Sequence, residues 1–336
     1  MTIVIVTIFL LGYLLIATEN LSKINKAAFA LLMCVVCWVL YSFGGYAGDD
    51  LSEVLERNLG EAGTTLFFLM GAMTIVEIVD SNGGFNFVRD TIKTRNKKKL
   101  LWRIAFMAFF LSAILDNLTT SIVMIMVLRK LVQDKKERLL YAALVIIAAN
   151  SGGAFSPIGD VTTIMLWIKG VITTQGVITE IFIPSLVSMV VPALILSYSL
   201  KGKFPKENNL QVTEVSTFTK TQRNIIFWLG VGGLCFVPIF RSITNLPPFM
   251  GILLVLGILW TVTEIFHRTT SEEDTMAKRV TELLTRIDMS TILFFLGILM
   301  AVSCLEHIGV LTALGQSLDQ ISGGNHYLVT GIIGVL

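Results

Sequence analysis

Charge is scarce in this chain. Asp, Glu, Lys and Arg make up 15% of its 336 residues, against about 25% in an ordinary soluble domain. Histidine is scarcer, at three residues, and there are four cysteines. So little charge excludes a soluble domain or a nucleic-acid-binding module. The cysteines, Cys34, Cys37, Cys235 and Cys304, all sit inside apolar runs. They read as small apolar helix residues rather than as an extracellular disulfide framework. Cys34 and Cys37 form a C-x-x-C, but without the strand and helix context of a redox motif. No H-E-x-x-H or G-x-S-x-G pattern occurs, so an intramembrane enzyme has no support. The net charge of +2 says nothing of partners by itself; its distribution says more.

What is abundant is apolar length. Hydrophobic residues make up 54% of the chain and the mean hydropathy is +0.76. Runs of about 20 apolar residues are what a bilayer core demands of a helix. Apolar segments fall at 3–17, 27–43, 64–79, 101–128, 139–168, 181–200, 224–240, 249–266, 290–305 and from 326 onward. The first lacks the basic start and small-residue cleavage site of a signal peptide and reads as a span. The fold class is therefore an all-α polytopic membrane protein.

Basic residues orient it, because cytoplasmic loops are rich in Lys and Arg. The loop at 81–103 and the cluster Arg129, Lys130, Lys135, Lys136 and Arg138 both ask for the cytoplasm. Only the segment 101–128 lies between them, too long for one comfortable span and too short for two. Its middle carries Asp116-Asn117-Leu118-Thr119-Thr120. A re-entrant hairpin turning back at Asp116-Asn117 resolves the conflict, provided protein or water surrounds its irregular backbone. Cytoplasmic loops at 18–26, 81–103, 129–138, 201–224 and 267–288 then leave only Arg57, Lys169 and Arg241 on the far side.

An internal repeat points the same way. Leu66-Phe67-Phe68-Leu69 precedes Gly71, Asp80 and Gly83, and Leu293-Phe294-Phe295-Leu296 precedes Gly297, Glu306 and Gly309. In this topology the copies run in opposite directions, as in transporters built from inverted repeats with re-entrant hairpins and broken helices. The expected layout is N-terminal scaffold helices over 1–62 and a first inverted repeat over 63–200, with hairpin 101–128 and broken helix 139–168. A cytoplasmic linker over 201–224 follows, then scaffold helices and a loop over 225–288. The start of a second repeat occupies 289–336. The repeat places the counterpart of Asp116 beyond Leu336, so the second hairpin is expected to be cut short.

Two polar constellations lie inside apolar segments. One is Ser112 to Ser121 around Asp116-Asn117; the other is Asn150-Ser151-Gly152-Gly153-Ala154-Phe155-Ser156-Pro157-Ile158-Gly159-Asp160-Val161-Thr162-Thr163. Three glycines and a proline break the second helix, freeing carbonyls and helix ends for a ligand. A membrane-embedded aspartate costs from about 3 kcal/mol upward unless paired. A carboxylate out of water takes up a proton more readily. Two of them among Asn, Ser and Thr oxygens make a hard nest in which proton and small cation compete. The plainer alternative is that the aspartates bond backbone groups freed at the breaks.

The Asn150–Thr163 run with Trp167, the Asp116-Asn117 turn and the Leu-Phe-Phe-Leu repeat together resemble the NhaD-type sodium/proton antiporters. These belong to the ion transporter superfamily, which includes dicarboxylate and arsenite carriers. The resemblance covers nearly the whole chain, and Ser156-Pro157-Ile158-Gly159-Asp160-Val161-Thr162-Thr163 is its most specific part. It implies a multi-pass protein of the cytoplasmic membrane that exchanges sodium or lithium for protons, serves pH homeostasis and needs no cofactor. It also implies a homodimer with a scaffold part and a moving transport part. By similarity Asp116, Asn117, Asn150, Asp160, Thr162 and Thr163 form the first half of the ion site, with Asp116 and Asp160 as sodium ligands.

Ser156, Glu61 and Asp288 are weaker candidates. Glu61 resembles an acidic position of the family, and Asp288 equally suits a helix N-cap. Glu77, with no symmetric counterpart, reads equally as a helix-end charge. His267, His307 and His326 read as ordinary exposed histidines before pH sensors. Thr275 to Ile287 reads as a cytoplasmic surface helix, and Gly251 and Gly257 as close-packing positions. The rival function is an anion carrier of the same superfamily, for arsenite or a dicarboxylate. A passive channel lacks any sign of a continuous lined pore.

Overall fold

The structure is a computed structural model. It describes all residues except 46–49, 86–91, 93, 201, 205–217, 269–278, 324, 326–327 and 332–336. Described residues form helices, with one isolated antiparallel bridge between Asn96 and Lys203. Among them six helices are long and apolar enough to cross a membrane. The all-α polytopic membrane class is borne out.

In chain order the helices are α1 (Thr2–Ala17), α2 (Glu19–Ser22), α3 (Lys26–Phe43), α4 (Leu51–Ser81), α5 (Lys97–Leu115), α6 (Asn117–Leu131) and α7 (Lys135–Ala154). Then come α8 (Val161–Ile168), α9 (Thr174–Ser199), α10 (Lys220–Thr244), α11 (Pro248–Arg268), α12 (Val280–Leu283), α13 (Met289–His307) and α14 (Val310–Ser322). They form two compact units, one of residues 1–66 with 288–336 and one of residues 67–287.

In the first unit α3 packs against α1 and α13. Its core holds Ile5, Met33, Cys37, Trp38, Tyr41, Ala301, Cys304 and Leu305. Trp38 donates its indole N–H to the Met300 carbonyl at 2.8 Å, a partner that a buried indole requires. The close approach of α3 and α13 depends on Gly297, where a Cβ would lie 2.6 Å from the Ala30 carbonyl carbon. Cys34, Cys37 and Cys304 are thus small helix residues packed in or against this core, while Cys235, on a later helix, is exposed.

In the second unit α7 is central, packing against α5, α6 and α9, while α10 pairs with α11. Gly152 lets α7 meet α5, since a Cβ there would stand 2.0 Å from the Phe109 carbonyl oxygen. Beside it the Ser112 hydroxyl donates to the Ala149 carbonyl at 2.6 Å. At the other end of α5, Lys97 pairs with Glu137, and Tyr141 donates to the Lys97 carbonyl at 2.9 Å.

The two Leu-Phe-Phe-Leu copies have the same local conformation. Gly83 and Gly309 are both left-handed, at φ 74° and 80°, and each donates to a carbonyl three residues back, Asp80 and Glu306, at 2.9 Å. Gly71 and Gly297 are both positions a Cβ would crowd.

Several expectations change. α4 begins at Leu51, well before 64, because Glu and Arg at 53, 56, 57 and 61 propagate a helix that hydropathy does not register. α14 follows no apolar run; it is marked by left-handed glycines at both ends, Gly309 and Gly323. Of the surface helix expected over 275–287, the described part is α12 and a 3-10 turn over Leu284–Arg286, and residues 275–278 lie outside the described residues. Val280 and Leu283 are buried rather than at the surface. Gly251 is a close-packing position against Phe240, but Gly257 faces nothing within 4 Å. His267 is buried against the Phe218 ring at 4.8 Å, not exposed. His307 meets the Asn58 amide at 3.0 Å, and His326 lies outside the described residues.

Gly297→Ala is expected to destabilise the full-length protein by about 1–3 kcal/mol, because backbone must yield. Gly257→Ala is expected to be neutral or stabilising by up to about 1 kcal/mol. Thermal unfolding in detergent compares them, and equal loss from both substitutions would contradict the packing at Gly297.

Candidate ion-binding site

The first break lies between α5 and α6, where one residue interrupts the helix. Asp116 takes φ 83° and ψ 157°, a conformation essentially reserved for glycine. Its carboxylate N-caps α6: Oδ1 accepts from the Thr119 amide at 2.7 Å and Oδ2 from the Thr119 hydroxyl at 2.8 Å. The strain is thus offset by a doubly made cap at a helix N-terminus, where negative charge is favoured. Thr120, next along α6, is fully buried, and its hydroxyl has no hydrogen-bond partner.

The second break spans residues 155–160, between α7 and α8. Glycines make it compact. A Cβ on Gly153 would lie 2.5 Å from the Gly159 carbonyl oxygen, and one on Gly159 would lie 2.8 Å from the Ser112 carbonyl oxygen on α5. The ring of Phe155 packs against Phe109 at 5.1 Å and Phe182 at 5.2 Å. Asp160 is the N-cap residue of α8, but its side chain makes no capping hydrogen bond. Its backbone carbonyl accepts instead from the Thr163 hydroxyl at 2.9 Å.

The two breaks meet. The Asn117 amide donates to the Asn150 side-chain oxygen at 3.0 Å, and Asn150 donates back to the Ile146 carbonyl at 2.8 Å. Asp160 is held against the same helices: a Cβ on Gly153 would lie 3.4 Å from the Asp160 Cβ, and Gly159 beside it meets the Ser112 carbonyl, four residues before Asp116. Asp116, Asn117, Asn150, Asp160 and Thr163 therefore belong to one neighbourhood. Thr162 stands exposed on the first turn of α8. Ser156 is buried inside the break, where its hydroxyl accepts from the Ile158 amide at 3.3 Å and holds the turn. Among the described residues no three His, Cys, Asp or Glu side chains gather as a metal centre. What gathers is two carboxylates with amide, hydroxyl and carbonyl oxygens.

The remaining candidates stand apart from this cluster in their bonding. Glu61 lies exposed on α4, in the first unit. Asp288, also in the first unit, N-caps α13, accepting from the Thr291 hydroxyl at 2.5 Å and amide at 3.1 Å. The Thr291 hydroxyl holds its carboxyl below the usual range, and the N-cap reading accounts for it. Glu77 accepts from Ser81 at 2.9 Å and faces Arg286 at 3.8 Å. Thr119 and Thr120 escaped the sequence reading as separate contributors. An N-cap aspartate followed three residues later by threonine was the available signal for the first.

A sequence model of the family described as citrate transporter matches residues 3–336. The chain belongs to that family. Among curated relatives it is 44% identical over 329 residues to sodium/proton antiporter 1 of Arabidopsis thaliana, covering 98% of this chain and 56% of that protein. It is 42% identical over 330 residues to sodium/proton antiporter 2 of the same plant, covering 98% and 78%. The Na(+)/H(+) antiporter NhaD of Alkalimonas amylolytica is 28% identical over 361 residues, covering 99% and 73%. The NhaD-type resemblance read from the motifs is borne out by these relatives. The chain spans about half the length of the first of these relatives, 56%.

The backbone at Asp116 separates two effects of substitution. Asp116→Gly is expected to be more stable than Asp116→Ala by about 1–3 kcal/mol, because glycine occupies that conformation freely. Equal unfolding temperatures for the two variants would remove the case for strain at the break.

Proposed function

We infer that the full-length protein exchanges sodium or lithium for protons by alternating access, with Asp116 and Asp160 binding cation and proton in competition. The observation that carries this reading is Asp160, a carboxylate at a helix N-terminus that makes no capping hydrogen bond. The other break carries a second carboxylate, Asp116, which caps its own helix. Each helix N-terminus contributes roughly half a positive charge. Two such ends offset about one of the two negative charges, leaving a deficit that a single monovalent cation or a proton fills.

The same balance disfavours an anion carrier. An anion site uses bare helix N-termini to receive its ligand. Here a carboxylate already stands at each one. The family's description names citrate, while the relatives quoted above carry the names of sodium/proton antiporters. The carboxylates favour the latter in our reading.

Asn117 and Asn150 tie the hairpin tip to the broken helix, so that movement of one carries the other. Asn150, Thr162, Thr163 and unwound carbonyls supply neutral oxygens to a cation that has shed water. Repeat 63–200 forms the first half of the site, and the matching local structure around Gly83 and Gly309 supports a second, inverted repeat beginning at 289. Residues 1–62 and 225–288 act as scaffold, and 201–224 as a cytoplasmic linker. Glu61 and Asp288 are retained as outlying candidates. The protein works as a homodimer in the cytoplasmic membrane.

The test is made on the full-length protein in proteoliposomes holding an inside-acid pH gradient. External sodium or lithium should dissipate the gradient and potassium should not. Asp160→Asn should abolish the response, and lowering external pH should raise the apparent KM for sodium, because protons occupy the same carboxylates. Saturable uptake of labelled arsenite or dicarboxylate with no response to sodium would sink the reading.

A further inference from the structure

Arg241 lies on the last turn of α10, outside the basic loops that the sequence assigns to the cytoplasm. An arginine at the end of a membrane span is expected to reach for water or to pair. This one, partly buried, bonds backbone carbonyls. Its Nη1 donates to the Trp167 carbonyl at 2.5 Å and its Nη2 to the Ile168 carbonyl at 3.4 Å. The guanidinium carbon lies 4.5 Å from the centre of the Trp167 ring, which is 3% exposed. The fork thus clasps the C-terminal end of α8 by two carbonyls and one aromatic face.

The clasp answers a need created by the break. α8 has eight residues, a length of about 12 Å, and is severed from α7 by the non-helical residues 155–160. An isolated helix that short is unstable on its own, and most of its order must come from what it packs against. Ile164 and Trp167 supply a buried edge. The C-terminal turn closes locally through Gly170 at φ 73°, with the Val171 amide donating to the Leu166 carbonyl at 2.9 Å. The Ile168 carbonyl and the second lone pair of the Trp167 carbonyl are left for Arg241. A full positive charge there also meets the negative end of the helix dipole.

We propose that Arg241 is a positioning residue for the ion site: by fixing the C-terminal end of α8 it fixes Asp160, Thr162 and Thr163 at the other end. The role rests on the antiport reading given above, and acts through α8 rather than by touching the ion. Lysine cannot replace it fully, because one ammonium point charge cannot span two carbonyls and lie flat on an indole.

The experiment uses the full-length protein with Arg241→Gln, Arg241→Lys and Trp167→Phe. Hydrogen–deuterium exchange of the peptide covering Val161–Val171 should quicken in Arg241→Gln, while peptides of α5 and α7 stay unchanged. In proteoliposomes the apparent KM for sodium should rise on the order of tenfold with kcat retained, the loss expected for charge-assisted hydrogen bonds. Arg241→Lys and Trp167→Phe should fall between wild type and Arg241→Gln. Unchanged exchange over 161–171 would overturn the proposal. So would a fall in kcat at constant KM, since that is what lost folded protein alone produces. If the wild type shows no sodium-driven proton flux, the antiport reading fails, and the exchange data still decide whether Arg241 anchors α8.

Discussion

A chain that crosses a bilayer must satisfy its backbone polar groups from within, and everything distinctive here follows from two places where this chain does not continue its helix. At Asp116 the break is one residue wide, and the aspartate's own carboxylate meets the amide and hydroxyl of Thr119. Between Ala154 and Val161 it is wider, and is kept dense by glycine contacts and by Ser156 turning on itself. Both breaks are set against α5 and α7, whose backbones approach because Gly152 has no side chain. The rest of the second unit holds these two irregular segments in register.

The breaks are also where polar side chains meet inside the second unit. A broken helix exposes an N-terminus inside the fold, and both exposed N-termini are occupied by an aspartate. The two differ: Asp116 spends its oxygens on its own helix, while Asp160 leaves its carboxylate uncommitted to capping. The plainer alternative, aspartates that simply bond backbone freed at a break, thus describes Asp116 and not Asp160. One aspartate builds the turn and the other makes no capping bond. The Asn117–Asn150 bond couples them mechanically. Arg241 then anchors the far end of the short helix that Asp160 begins.

Legibility in the sequence followed the strength of the local signal. The break at Asp116-Asn117 was legible because an aspartate and an asparagine interrupt an apolar run whose flanks are both basic. The second break was legible because glycines and a proline cannot extend a helix. α14 was not, since its composition carries no apolar run; the glycines at 309 and 323 were its only markers. The start of α4 was misplaced because hydropathy reports what a membrane accepts and is blind to polar residues that are good helix formers. His267 was read as exposed because its position near a charged loop says nothing of Phe218, which packs on it from a distant part of the chain.

By itself, then, the sequence determined the class, most of the long apolar helices, the two interruptions and the residue types at them. These are encoded within windows of a few turns, through hydropathy, helix propensity and the backbone limits of glycine and proline. Only the tertiary structure decided that Asp116 is strained and capped while Asp160 is not capped, that Asn117 finds Asn150, and that Arg241 closes on Trp167. The last two relations join residues 33 and 74 positions apart in the chain, and the contact between the breaks depends on how closely α5, α7 and α8 approach. Backbone contacts at glycine, and not any local preference, set that distance.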